Sequence, residues 1–126
     1  MIVGVGNDVL EVSRIRRELA REGRGFRDEV FTPREIAYCE SKRYPARHFA
    51  ARFAAKEACL KALRTGVDNS WSAWREVEVA RGPRGEPELV LTGQVKRLAG
   101  RRRVRRVLVS LSHTSSVAMA SVVLET

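Results

Sequence analysis

The amino-acid sequence predicts an α+β domain on three observations. Residues 46–64 are rich in good helix formers and carry apolar side chains at helical spacing. Short apolar runs lie near both ends of the chain, and a turn rich in glycine and proline at 82–87 separates two further strand-like runs. These helix and strand patterns do not alternate strictly, which is typical of an α+β fold. The length of 126 residues predicts one domain over 1–126.

The chain begins with a strand pattern that is followed by a helix pattern. Residues 2–6 form an apolar run that ends at a glycine, and the turn-forming residues Asn7 and Asp8 follow it. We therefore expect a buried strand over 2–6, with Asp8 just beyond its end. A helix is predicted over 11–22, because apolar side chains recur there every three or four residues.

A helix-start signal lies at Thr32, Pro33 and Glu35. Thr32 can cap the helix, Pro33 suits the first helical position, and Glu35 completes a capping box. The longest predicted helix follows over 46–64, where Gly66 is placed to end it. The remaining predicted elements are strands at 76–80, 88–91, 104–112 and 117–124, and a short helix at 94–98.

Composition and charge narrow the possible functions. Apolar residues make up 44% of the chain and charged residues 31%, which indicates a globular rather than a disordered protein. The net charge of +9 favours a polyanionic partner, such as a nucleic acid, a phosphate-rich cofactor or an acidic protein. Two cysteines without metal-ligand spacing disfavour a disulfide scaffold or a zinc module. Without a bilayer-spanning run or a visible secretory signal, we expect a cytoplasmic protein with no membrane partner.

Two carboxylates stand out in these patterns. Glu57 lies near the apolar stripe of the 46–64 helix, where a carboxylate must be paired, hydrated or bound to a cation. A salt bridge to Lys61, one turn away, is the simplest interpretation. Asp8 could be a turn residue or a helix cap, or it could mark a site at the end of a strand. Two carboxylates from separate elements suit Mg²⁺ if a phosphate-bearing substrate completes the coordination.

Basic side chains near the same helix could hold such a phosphate. Arg52 and Lys56 lie one turn apart, and Lys61 lies further along the same helix. A solvated helix face is the alternative for all three. His113 lies between two apolar strands beside hydroxyl side chains, where an imidazole can bind phosphate, transfer protons or serve a structural role. His48 has no comparable setting and is expected to be a surface or packing residue.

Arginines form two further groups. Arg14, Arg17, Arg21 and Arg24 are spaced by three and four residues, so they share a face if the first helix persists that far. Such a stripe could dock an acidic partner or follow a phosphate backbone. The second group lies within 101–106 and is expected to form a basic loop that leads into a strand.

Four stretches of the chain form a recognisable series. They are MIVGVGNDVLEVSRI at 1–15, ARFAAKEA at 51–58, GEP at 85–87 and LSHT at 111–114. Together they resemble the holo-[acyl-carrier-protein] synthase family, the small bacterial 4′-phosphopantetheinyl transferases. Arg64 stands where that family usually has glycine.

The resemblance implies an activity and a site. Enzymes of this family transfer the 4′-phosphopantetheine arm of coenzyme A to a serine of an apo acyl carrier protein and release 3′,5′-ADP. Asp8 and Glu57 would bind Mg²⁺, which contacts the pyrophosphate, and Lys61 would be a third catalytic residue close to the same phosphates. The residues expected to bind coenzyme A are Arg52, Lys56, Lys61, His113 and Thr114.

The resemblance also implies the architecture and the partners. It implies an antiparallel sheet packed on a long central helix, in a homotrimer whose active sites lie between subunits. His113 could then act across an interface. The acidic carrier protein would dock on the arginine stripe that begins at Arg14, where charges act mainly on the association rate. No nucleic acid is expected as a partner.

Two alternatives remain open at this point. A basic nucleic-acid-binding module could use the two arginine groups, and its affinity would depend steeply on salt in the absence of any coenzyme A binding. A structural trimer without activity would keep the fold but not the transfer reaction.

Overall fold

A computed structural model describes residues 1–21, 25–64 and 72–126. Within these ranges, five strands and six helices are mixed and the strands pair antiparallel, which confirms the predicted α+β class. In chain order the elements are β1 (Ile2–Glu11), α1 (Val12–Ala20), α2 (Gly25–Val30), α3 (Pro33–Glu40), α4 (Pro45–Ala62), α5 (Ser72–Arg75), β2 (Val77–Arg81), β3 (Pro87–Leu91), α6 (Gly93–Arg101), β4 (Arg106–His113) and β5 (Val117–Glu125).

The strands form two separate antiparallel sheets. The larger sheet has three strands in the order β1-β5-β4, and β2 and β3 form a two-stranded hairpin of their own. Because β5 is the middle strand, β1 and β4 lie on opposite sides of it. Side chains on β1 and β4 are therefore separated by two strand spacings, about 10 Å.

The first strand is longer than the sequence predicted. The strand expected over 2–6 continues to Glu11, and Asp8 pairs with Ala120 inside the ladder. The interpretations of Asp8 as a turn residue, a helix cap or a residue beyond the strand end are therefore wrong. Pairing with β5 continues through this region and overrides the local turn preference of Asn7 and Asp8.

Helix α4 lies on the inner face of the three-stranded sheet and contacts all of its strands. Most of the helix is buried, and its side chains are mainly small. Gly4 and Gly6 of β1 face α4, and a Cβ atom at Gly6 would overlap the carbonyl oxygen of Ala58. A Cβ atom at Gly4 would overlap the carbonyl oxygen of Ala62. The two glycines therefore allow β1 to lie directly against the helix backbone.

The capping box predicted for α3 is confirmed. Thr32 Oγ1 accepts a hydrogen bond from the Glu35 N–H, and the Glu35 carboxylate accepts one from the Thr32 N–H at 2.9 Å. The sequence did not predict α2 and α5, because helices of six and four residues are too short to show an apolar repeat.

The end of α4 differs from the expectation. The predicted cap at Gly66 lies outside the described residues, and within them α4 ends at Ala62. Arg64 has a φ of 55°, in the left-handed region that favours glycine. This is the position at which the resembled family usually has glycine. None of the helices in the described ranges is long and apolar enough to cross a bilayer.

We expect Gly6→Ala to lower the free energy of unfolding by about 3 kcal/mol, because the added methyl group meets helix backbone rather than a movable side chain. Gly100→Ala is the matched control, since no atom lies within 4 Å of the Cβ position at this helical glycine. That variant should be about 1 kcal/mol more stable than the wild type. Urea denaturation measures both, and similar changes in the two variants would contradict the proposed contact.

Candidate active site

The first cluster, here called the carboxylate site, contains Asp8, Glu57 and Lys61. Asp8 lies on β1, and its side chain is only 15% exposed. The Lys61 ammonium, on the last turn of α4, donates to Asp8 Oδ1 at 2.9 Å and to the Asn7 carbonyl oxygen at 3.1 Å. The simple interpretation of a Glu57–Lys61 salt bridge is therefore corrected, because the ion pair of Lys61 is formed with Asp8.

Glu57 lies close enough to Asp8 for the two charges to interact. Burial raises the pKa of Glu57, the negative charge of Asp8 raises it further, and Lys61 opposes the shift. Two carboxylates that repel each other are hard oxygen donors whose repulsion a divalent cation relieves, and this donor set fits Mg²⁺. No group of three or more His, Cys, Asp or Glu residues within the described ranges is arranged to hold a metal ion. A metal here would therefore need further ligands from substrate and water.

The second cluster, here called the cationic pocket, is built by α3, α4, β4 and the β2–β3 hairpin with its turn. It encloses about 210 Å³. Arg52 lines it from α4 and is only 6% exposed, and its Nε has no hydrogen-bond partner among the described residues. A buried guanidinium with an unused donor is suited to bind an anion. The residues that define the pocket are Tyr38, His48, Arg52, Arg81 and His113.

The Tyr38 ring organises the cations of this pocket. The Arg52 guanidinium carbon lies 4.1 Å from the ring centroid, and that of Arg81 lies 5.0 Å from it. Lys42 Nζ lies 4.6 Å from the same centroid. Cation–π contacts hold such groups near one another at a distance where their charges alone would repel.

Two imidazoles complete the pocket. The ring centroids of His48 and His113 are 5.0 Å apart. Burial lowers the pKa of His48, and the nearby His113 and Arg52 lower it further. The sequence analysis assigned His48 to the surface or to packing and did not single out Tyr38 or Arg81. The spacing of four residues between His48 and Arg52 was the one available signal that they share a helix face.

The two clusters lie on different sides of α4. Arg52 and Glu57 are five residues apart, which corresponds to about 140° around the helix axis. The carboxylate site borders β1 through Asp8, whereas the cationic pocket borders β4 through His113. Because β1 and β4 flank β5, one chain presents two half-sites rather than one continuous cleft.

Lys56 is in neither half-site, and its predicted role in binding coenzyme A is wrong. Its side chain is fully buried, and its ammonium donates to Glu35 Oε1, the Trp74 carbonyl oxygen and the Val77 carbonyl oxygen at 2.7–2.9 Å. An ammonium has three donors, and all of them are used within the core. Lys56 does lie one helical turn after Arg52, as the spacing of four residues predicts. However, α3, α5 and β2 cover the face of α4 that carries Lys56.

Thr114 lies in the turn between β4 and β5. Its hydroxyl oxygen accepts hydrogen bonds from the N–H groups of Ser116 and Val117. Among the described residues, Thr114 does not line the cationic pocket that its neighbour His113 helps to form. Its hydroxyl therefore orders the turn that carries His113.

The arginine stripe is shorter than expected. Arg14 and Arg17 are exposed on α1, beside a groove of about 480 Å³. Arg21 follows the last helical residue in an extended conformation, 3.8 Å from Glu18, and Arg24 lies outside the described residues. The arginines of 101–106 lie at the end of α6 and the start of β4, at the opposite end of β4 from the cationic pocket.

The fold and the two half-sites define a class of protein. A sequence profile of the 4′-phosphopantetheinyl transferase superfamily matches residues 4–120, and the chain belongs to this superfamily. Two similar proteins are holo-[acyl-carrier-protein] synthases from Geotalea daltonii and Koribacter versatilis, which are 42% and 45% identical over 99% of this chain and 99% of each relative. The predicted resemblance to this enzyme family is confirmed.

Solved structures agree with this assignment. The holo-[acyl-carrier-protein] synthase of Neisseria meningitidis is 31% identical and covers both chains fully, with a TM-score of 0.88. The Helicobacter pylori enzyme in complex with coenzyme A is 28% identical over 96% of this chain and 99% of that chain, with a TM-score of 0.80. The Bacillus anthracis enzyme in complex with coenzyme A (3′,5′-ADP) is 32% identical over 100% of this chain and 98% of that chain, with a TM-score of 0.78.

We expect the folded protein to lose stability as the pH falls below about 6.5. The pKa of His48 is lowered in the fold, so the unfolded chain takes up this proton first and is favoured at lower pH. His48→Gln should reduce the decline between pH 7.5 and 5.5, when denaturant unfolding is measured at each pH. An unchanged pH profile in the variant would show that His48 is not held neutral by its surroundings.

Proposed function

We propose that the chain transfers the 4′-phosphopantetheine group of coenzyme A to a serine of an apo acyl carrier protein in a Mg²⁺-dependent reaction that releases 3′,5′-ADP. The observation that carries this proposal is the placement of two carboxylates beside Lys61, with a separate cationic pocket on the same helix. The first half-site suits a cation and a diphosphate, and the second suits a further phosphate. The carriers of fatty-acid or related biosynthesis are the proposed substrates, and the cytoplasm is the proposed compartment.

In this proposal, Asp8 and Glu57 hold the magnesium ion. When bound, the ion supplies charge neutralisation at the phosphoryl group under attack and at the leaving phosphate. Lys61 is fixed by its bonds to Asp8 and to the Asn7 carbonyl oxygen, so its positive charge stays beside the carboxylates. It is therefore placed to attract the same diphosphate.

The nucleotide end of coenzyme A is proposed to bind in the cationic pocket. Arg52 has an unused buried donor there, and the rings of His113 and His48 lie edge to face beside each other. Arg81 adds a second guanidinium, whose carbon lies 5.0 Å from the Tyr38 ring centroid. Thr114 contributes by ordering the turn after His113. The coenzyme A complexes among the similar structures support a nucleotide subsite of this kind.

The carrier protein is proposed to dock beside α1. The groove there is lined by Val9, Leu10 and Arg14, and Leu10 lies on the same face of β1 as Asp8. Exposed Arg14 and Arg17 would attract an acidic carrier and bring its serine toward the carboxylate site. Arg21 is proposed to extend this surface, and Arg24, which is also predicted to bind the carrier, lies outside the described residues.

A homotrimer is proposed because the outer face of the three-stranded sheet exposes apolar side chains on both sides of a polar row, which is formed by Asn7, Ser121 and Ser110. Val9 is 62% exposed and its cross-strand partner Met119 is 45% exposed. Val5 and Leu108 add to the same exposed apolar set. Apolar side chains that are exposed together on one sheet face mark surfaces for association with another protein. Association through this face would also allow half-sites of neighbouring subunits to combine, as the family resemblance implies.

The transfer reaction is tested by mass spectrometry. Incubation with Mg²⁺, coenzyme A and an apo acyl carrier protein should add about 340 Da to the carrier, the mass of the transferred arm. Asp8→Asn and Glu57→Gln should each reduce the rate at least about 100-fold, because each removes a proposed metal ligand. Chelation of Mg²⁺ should have the same effect on the wild type.

Glu40→Gln is the control for these variants, since Glu40 pairs with Arg27 on the surface. It should transfer at the wild-type rate. An unmodified carrier across a panel of apo carriers would refute the proposed function. Full Mg²⁺-dependent activity in either carboxylate variant would refute the ligand assignment.

The trimer is tested by sedimentation. Met119→Lys should convert a trimer into a folded monomer and reduce transfer, because it places a charge in the proposed apolar interface. Val90→Lys is the control, since Val90 is similarly exposed at 42% but belongs to the β2–β3 hairpin. A Met119→Lys variant that sediments as the wild type does would contradict the proposed interface.

A further inference from the structure

A buried ion pair between Lys56 and Glu35 is not used by either half-site. Both side chains are 0% exposed, and Lys56 Nζ lies 2.8 Å from Glu35 Oε1. Lys56 also donates to the carbonyl oxygens of Trp74 at 2.9 Å and Val77 at 2.7 Å. All three donors of the ammonium are satisfied, each by a different element of the fold.

The carboxylate of this pair is satisfied as completely as the ammonium. Glu35 Oε1 accepts a hydrogen bond from the Thr32 N–H at 2.9 Å, and Oε2 accepts one from the Val79 N–H at 2.8 Å. The pair therefore connects the start of α3, the middle of α4, the end of α5 and the first residues of β2. Buried ion pairs are weak contributors to stability, whereas their hydrogen bonds fix geometry.

The pair holds the β2–β3 hairpin, which also packs against β4 through β3. The hairpin is a sheet of its own and has no ladder with the three-stranded sheet. The bonds to the Val77 carbonyl and the Val79 N–H both hold the first part of β2. Two residues further on, Arg81 enters the cationic pocket, and Gly85 and Pro87 line the same pocket from the turn and β3.

On the other side of that pocket lies Arg52, one helical turn before Lys56. A short chain of contacts therefore connects Arg52 to Arg81. It runs along α4 to Lys56, through the hydrogen bond to the Val77 carbonyl oxygen, and along β2. A change at the ion pair would therefore act first on the position of β2, and through β2 on Arg81 relative to Arg52. The carboxylate site lies on the side of α4 that faces β1, and it meets this chain of contacts at Trp74, whose side chain hydrogen-bonds Glu57 and whose carbonyl oxygen accepts from Lys56.

We infer that Lys56 and Glu35 form a positioning pair, which holds the β2–β3 hairpin at a fixed distance from α4 and so sets the affinity of the cationic pocket for coenzyme A. This inference rests on the proposed function, since it assigns the pocket to the nucleotide end of coenzyme A. Neither residue touches the substrate. Their effect is exerted through Arg81 and the other residues that the hairpin brings to the pocket.

The test uses the combined variant Lys56→Met, Glu35→Gln in the full chain. Either single charge removal leaves the other charge buried and unpaired, whereas the combined variant is neutral and close in shape. The Glu35→Gln change removes the negative charge but keeps an amide oxygen, which can still accept a hydrogen bond from the β2 backbone. The circular dichroism spectrum and cooperative unfolding should match those of the wild type.

The expected result is a split between the kinetic constants. KM for coenzyme A should rise about tenfold, while kcat and KM for the carrier change less than about twofold. The dissociation constant for coenzyme A, measured by calorimetry without a carrier, should rise by the same factor. Glu35→Gln alone leaves the buried Lys56 ammonium without its counter-charge, so it should also raise both quantities and should lower the free energy of unfolding more than the combined variant does.

The matched control is Arg27→Met, Glu40→Gln, which removes an ion pair of 2.7 Å between α2 and α3 that does not contact the hairpin. This control should leave both KM and the dissociation constant for coenzyme A unchanged. An unchanged KM and dissociation constant in the folded combined variant overturn the inference. An equal loss in kcat and in both KM values also overturns it, because general disruption is then the cause.

Failure of the proposed function can be distinguished from failure of the positioning pair, because transfer and coenzyme A binding are measured separately. If the wild type binds coenzyme A but transfers nothing, the transfer proposal fails and the ratio of dissociation constants still decides the inference. A ratio of about ten supports the positioning pair, and a ratio near one overturns it. A wild type that does not bind coenzyme A overturns both.

Discussion

The direct contact between β1 and α4 is the constraint on which the candidate site depends. Gly4 and Gly6 lack a Cβ atom, so the strand lies against the helix backbone at Ala62 and Ala58. Asp8 is the next residue on the same face of β1, and it is brought to Lys61 on the last turn of α4. A larger residue at either glycine would separate the two elements. The position of the carboxylates is thus a consequence of packing at residues with no chemistry of their own.

Helix α4 serves as the common scaffold of both half-sites. One side carries Glu57 and Lys61 toward β1, and another carries His48 and Arg52 toward the cationic pocket near β4. Lys56 lies between them and points into the core. The helix therefore presents two charged regions of opposite character. A short chain can present both regions because a single helix is long enough to separate them.

Much of the fold and part of the site followed from local patterns. The capping box at Thr32 and the strands of the second half were predicted because turn, cap and strand signals act within a few residues. Asp8 stands out in the sequence as a candidate carboxylate, but its place inside a strand depends on pairing with Ala120, far away in the chain. Tyr38 and Arg81 were missed because α3 and β2 meet α4 only in the tertiary structure.

Lys56 shows most clearly the difference between what the sequence determines and what the tertiary structure decides. Its spacing from Arg52 is a property of the sequence, and both residues have the charge that binds phosphate. The sequence by itself determined the helix, the order of the elements, the family resemblance and the basic character of the chain. Only the tertiary structure decided which cations remain available to a ligand. The physical reason is that helical spacing places side chains around an axis, whereas burial depends on which distant elements pack against each side of it.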